Sequence, residues 1–160
     1  MTETGRIADQ LERAFDGDAW HGAPLLAMLR PIDAAAAARR PIAGAHTTWE
    51  LVEHIRLWLD TARRRLGGEA VDWVPGEDWP AMPEAATPAA WTDAVTALER
   101  SARALAADIR ALDDAALAAP VAGQSYDAYV LLHGVVQHSL YHGGQIAIVQ
   151  RALRGPEPAA

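Results

Sequence analysis

The chain has 160 residues, half of them hydrophobic, and a formal charge of −7. That length suits one domain with a sizeable core rather than two, and that hydrophobicity excludes a wholly disordered chain. The acidic balance argues against nucleic acid or an anionic membrane as partner. The absence of cysteine excludes disulfides, thiolate metal ligands and a thiol nucleophile.

Alanine and leucine dominate while Phe and Tyr are scarce, a composition that favours helix. The first ten residues carry no apolar leader and no stretch is long enough to span a bilayer, so the reading is a soluble cytoplasmic protein. Ile7, Leu11, Ala14 and Phe15 recur at helical spacing, which predicts a helix over 3–16 ended by Gly17. A shorter piece follows between Pro24 and Pro31, and Ala34–Ala38 is the one low-complexity segment. Thr47 or Thr48 caps a second long helix that runs to Leu66, with Glu50 in its first turn and Gly67-Gly68 closing it. The basic clusters Arg39–Arg40 and Arg63–Arg65 read as solvated helix ends rather than phosphate sites.

Pro75, Gly76, Pro80 and Pro83 make 69–86 a loop. It carries Trp73 and Trp79, which either serve the site or cover the end of the bundle. Thr87-Pro88 starts a third long helix to about Leu112, with Trp91, Val95, Leu98, Leu105 and Ile109 as its apolar stripe. After a turn around 113–117, Ser125 is the expected cap of a fourth long helix reaching Arg154. Gly155 and Pro156 stop it, leaving a tail over 156–160. No segment alternates as a strand would. An all-α four-helix bundle, one domain over 1–155, is the natural packing.

The chemistry lies in histidines. His138 and His142 are four residues apart, hence on one face of the last helix. Leu131, Gly134, Val135, Gln145 and Val149 share that face, so the imidazoles point inward, where unpaired polar groups are costly. His54 shares the inward side of the second helix with Leu51, Trp58 and Thr61. Three inward imidazoles on two helices predict one metal site. Nitrogen donors suit zinc, nickel, iron or copper better than magnesium or calcium. Three protein ligands leave a position for water or substrate, the catalytic kind of site. Gly134, Gly143 and Gly144 weaken the helix interior, and either close helix approach at the site or plain tight packing offsets that.

Two segments carry a resemblance. Ala45-His46-Thr47-Thr48-Trp49-Glu50-Leu51-Val52-Glu53-His54-Ile55 and Gly134-Val135-Val136-Gln137-His138-Ser139-Leu140-Tyr141-His142-Gly143-Gly144-Gln145-Ile146 together resemble the DinB-like superfamily of damage-inducible-type proteins. The likeness extends over nearly the whole chain, Trp20-His21-Gly22 included. It implies a DinB/YfiT-like four-helix bundle, commonly a homodimer. It also implies a divalent metal, zinc or nickel, on one His of the second helix and an H-x-x-x-H pair of the last; these positions fall on His54, His138 and His142. Characterised members include thiol transferases and isomerases using bacillithiol or mycothiol, and others are assigned as hydrolases.

Around the ligands, Gln145 either orients a ligand or bound water, or bonds backbone at a helix contact. Glu50 is either a general base or outer acceptor, or a first-turn acid facing the helix dipole. His46 either shuttles protons at the pocket mouth or orders its loop. Tyr141 is read as packing, His21 and His133 as structural or surface. The expected function is a metal-dependent thiol S-transferase or hydrolase acting on a small molecule, with the metal activating water or a low-molecular-weight thiol. The alternatives are a non-catalytic, metal-stabilised stress-response or binding protein, and a bundle without metal.

Overall fold

A computed structural model describes residues 1–74 and 76–154. Pro75, the Gly155 stop and the 156–160 tail lie outside the described residues. The elements are α1 (Glu3–Asp16), α2 (Leu25–Leu29), α3 (Ala34–Ala38), α4 (Thr48–Leu66), α5 (Pro88–Ala111), a 3₁₀ turn (Asp114–Ala118) and α6 (Ala128–Arg154). The fold is all-α: among the described residues there is no strand, only an isolated bridge between Pro120 and Asp127.

The four long helices close a ring in which α4 and α1 each pack against both α5 and α6. Their apolar stripes meet in one core that includes Leu11, Leu51, Ile55, Leu98, Leu105 and Ile146, all essentially inaccessible. Burying one such side chain contributes roughly 1.5–3 kcal/mol. Trp91 closes one end of this core. Its ring packs against Trp49 at 5.1 Å, and its indole N–H donates to the Ile32 carbonyl at 2.7 Å.

The helix starts have identifiable causes. The Thr47 hydroxyl accepts from the Glu50 amide at 3.1 Å while the Thr47 amide donates to Glu50 Oε2 at 2.7 Å, a reciprocal cap. Thr87 caps α5, accepting from the Ala90 amide, with Pro88 first in the helix. At the far end of α4, Gly68 takes φ +88°, a conformation only glycine adopts at little cost.

Several expectations are corrected. Ser125 does not cap α6; the helix begins two residues later, where Asp127 Oδ1 accepts from the Val130 amide at 3.0 Å. Both residue types cap equally well, and the bridge to Pro120 pins Asp127 at the helix start. Ala34–Ala38 is a helical turn, capped by Asp33. On α5, Val95 is only half-buried, and Ala94 and Ala102 take inward positions instead. Of the three α6 glycines only Gly143 has a neighbour where a Cβ would stand, with Leu25 Cδ1 3.6 Å from that position, an ordinary contact; Gly134 and Gly144 face open space. None of the three is required for close approach of the helix across the site.

Candidate metal centre

His54 comes from the middle of α4, and His138 and His142 from the middle of α6, helices that pack directly on each other. His54 and His142 are 3% and 6% exposed. Their Nε2 atoms lie 3.0 Å and 3.1 Å from His138 Nε2, and one ligating nitrogen from each ring falls within 4.8 Å of the other two. The structure thus brings together the three histidines singled out from sequence. Among the described residues no fourth His, Cys, Asp or Glu joins the cluster.

Hydrogen bonding behind the rings decides their tautomers. His54 Nδ1 donates to the Asp78 carbonyl at 2.6 Å. His142 Nδ1 donates to Gln145 Oε1 at 2.8 Å. A neutral imidazole with its proton on Nδ1 presents a bare lone pair at Nε2. Two lone pairs therefore converge on His138 Nε2. A single N–H there satisfies one of them at most. The His138 Nδ1 is buried without a partner among the described residues, so the polar partners of this imidazole are the other two rings. A cation between the three nitrogens satisfies all of them at once. Zinc–nitrogen bonds of about 2.0–2.1 Å in a tetrahedron separate ligand nitrogens by about 3.3–3.4 Å, so the two separations from His138 Nε2 need to open by only a few tenths of an ångström. The residues fit a divalent metal.

Burial pushes all three imidazoles below the ordinary histidine value. For His54 and His142 the Asp78 carbonyl and Gln145 offset part of this. His138 has no such acceptor and feels both neighbouring rings as well, so it falls to about 3. At neutral pH the three are uncharged, the state ligation requires.

The loop between α4 and α5 roofs the site. Trp79 stacks on His54 at 3.9 Å and, through its other face, on His46 at 3.4 Å. Asp78 supplies the His54 acceptor and receives the Trp58 indole N–H at 3.4 Å. Trp79 thus both serves and covers the centre, and His46 belongs to the roof. Trp73 instead donates to Thr61 Oγ1, also on α4.

The other candidates separate cleanly. Gln145 bonds a ring nitrogen, as the orienting role requires. Glu50 is occupied elsewhere: its oxygens take the Thr47 amide and the Arg40 guanidinium, with His46 Nδ1 at 3.5 Å. Burial alone would raise its carboxyl, but the Thr47 amide and Arg40 overrule that and hold it below the ordinary range. These contacts make it a helix cap. His133 packs at a tilt on Tyr129 away from the cluster, His21 is exposed and Tyr141 is exposed with its ring beside His142.

Sequence reading missed two contributors, Asp78 and Arg65. Asp78 sits on a loop whose path no local pattern reveals. Arg65, expected as part of a solvated helix end, is 6% exposed; its place three turns along the His54, Trp58 and Thr61 face was the available signal.

A sequence profile described as the DinB superfamily matches residues 19–146. No curated protein and no solved structure matches the chain.

Proposed function

The chain belongs to the DinB superfamily, and from that premise we propose that it is a metal-dependent enzyme, a thiol S-transferase or hydrolase acting on a small molecule, with His54, His138 and His142 holding one zinc or nickel ion. The single observation that carries the reading is the convergence of three Nε2 atoms whose Nδ1 sides cannot compensate them. Bound there, the ion would supply Lewis acidity, lowering the pKa of water or of a low-molecular-weight thiol toward neutrality.

The chain's own residues do the remaining work. The Asp78 carbonyl and Gln145 Oε1 hold two rings in the ligating tautomer and fix their planes. Trp79 excludes water from one side of the centre. Trp58 walls it beside His138, at 5.5 Å between ring centroids. Three protein donors leave the coordination open, which favours catalysis over a purely structural ion, for which four ligands are usual.

We also propose a homodimer. Tyr129, Leu140, Tyr141 and Ile148 are exposed and, at 100° per residue, fall within one arc of α6 together with the open Gly144. An apolar helix face of this extent calls for cover.

Elemental analysis of the purified protein tests the metal reading. Close to one equivalent of zinc or nickel is expected at pH 7.5. His138→Ala should lose the ion while His133→Ala keeps it. Equal retention by both variants sinks the ligand assignment.

A further inference from the structure

A cleft of about 240 Å³ opens beside His138, walled by Trp58, Ala62, Leu131 and Val135 and rimmed by Val130 and Gly134. At its far end lies Arg65. This guanidinium is buried, yet among the described residues no carboxylate forms an ion pair with it. Its partners are neutral. Nε and Nη2 donate to the Val71 carbonyl at 3.1 Å and 2.6 Å, and Nη1 donates to the Tyr126 hydroxyl at 2.7 Å. The carbonyls ending α4 supply only a partial negative charge. A buried cation without an anion is costly, and both other arginines of this helix end find an acid: Arg63 pairs with Asp108 and Arg64 with Glu69.

Arginine carries five N–H donors. The three bonds above leave one on each terminal nitrogen, two in all, the number a carboxylate accepts side by side. The guanidinium carbon sits 5.6 Å from the Trp58 ring centroid, and that ring is 5.5 Å from the ring of His138. The two legs bound the separation of Arg65 from His138 at about 11 Å. An apolar cavity of about 150 Å³ accommodates benzene, so this cleft holds a ring-sized body with a short arm.

We propose that Arg65 is a substrate-anchoring residue for a small carboxylate. The carboxylate would sit on the two free N–H groups, the apolar body would lie against Trp58, and the opposite end would be presented at His138. As a statement about substrate the proposal rests on the three-histidine centre being the reaction site. As a statement about binding it does not.

The test compares phenylacetate with its neutral isostere phenylacetamide, by titration calorimetry and by quenching of tryptophan fluorescence. It uses the full-length protein both as purified and after treatment with a chelator. Phenylacetate is expected to bind at least tenfold more tightly than the amide in both states, and Arg65→Gln should abolish that preference. Because Arg65 also anchors the loop through Val71, a second variant guards against misfolding. Gly134→Leu adds its side chain into open space at the cleft rim and should block both probes while leaving the circular dichroism spectrum unchanged. The proposal is overturned by equal binding of the two probes to the wild type, or by a preference that survives in a folded Arg65→Gln. A preference that vanishes on chelation also overturns it, because the anion is then held by the ion. Absence of metal in the purified protein with the carboxylate preference intact sinks the metal reading and leaves this one standing.

Discussion

Acidification of the metal-free protein should destabilise it in a pH window set by the buried imidazoles. His138 is held near pKa 3 by burial and by the rings of His142 and His54, against about 6.5 in the unfolded chain. Its depressed value means that the unfolded state takes up the proton first. The stability this neutral ring contributes is complete above pH 6.5 and is lost as the pH falls toward 3. One pH unit is worth 1.36 kcal/mol, so at pH 5 the loss is about 2 kcal/mol, or about 1 kcal/mol once the partial exposure of the ring is allowed for. His54 and His142 are shifted in the same direction and add to it. Glu50 and Asp114, both lowered below ordinary carboxyl values, lose their contribution mainly below about pH 5, outside the range of the assay. The assay is urea denaturation in the presence of a chelator at pH 7.5 and pH 5.0, on the wild type and on His138→Leu, which keeps an apolar group in the site. The wild type should lose at least about 1 kcal/mol more than the variant across this range. Equal losses in the two proteins would refute the claim that a buried neutral His138 controls the acid response.

Three further outcomes follow from the same geometry. Gln145→Leu removes the acceptor behind His142 Nδ1 and should weaken metal binding by roughly 10–100-fold; an unchanged affinity in a chelator competition would show that Gln145 does not orient the ring. Trp79→Ala removes the stack over His54 and His46, contacts worth about 0.5–1.5 kcal/mol; metal loss to a chelator in stopped flow should quicken by up to about tenfold, and an unchanged rate would mean that the roof does not restrain the ion. Joint replacement of Tyr141 and Ile148 by Asp should turn a dimer into a folded monomer in sedimentation velocity; a monomeric wild type would refute the dimer outright.

The long helices were readable because their signals are local. Thr47 with Glu50, and Thr87 with Pro88, announce helix starts through bonds made within four residues. The start of α6 was misplaced for the complementary reason. Both Ser125 and Asp127 are competent caps, and the choice between them is made by the bridge to Pro120, a contact outside the helix. The three histidines were legible because their spacing coincides with an apolar stripe, so inward orientation followed from helix periodicity alone. Gln145 followed from the same periodicity, and Trp79 was legible as a loop aromatic that either serves the site or covers the bundle. Asp78 was not legible: it lies in an aperiodic loop whose fold back onto α4 depends on stacking and on carbonyl orientation rather than on any repeat.

The order of amino acids therefore determined which helices form, which of their faces turn inward, and that three imidazoles share those faces, since each depends on interactions within a turn or two. Only the tertiary structure decided that the three Nε2 atoms meet within hydrogen-bonding distance, that Gln145 and the Asp78 carbonyl set the tautomers, and that Arg65 leaves solvent for the end of a cleft. Those outcomes depend on how α4, α6 and one loop pack in three dimensions, and packing is a property of distant parts of the chain acting together.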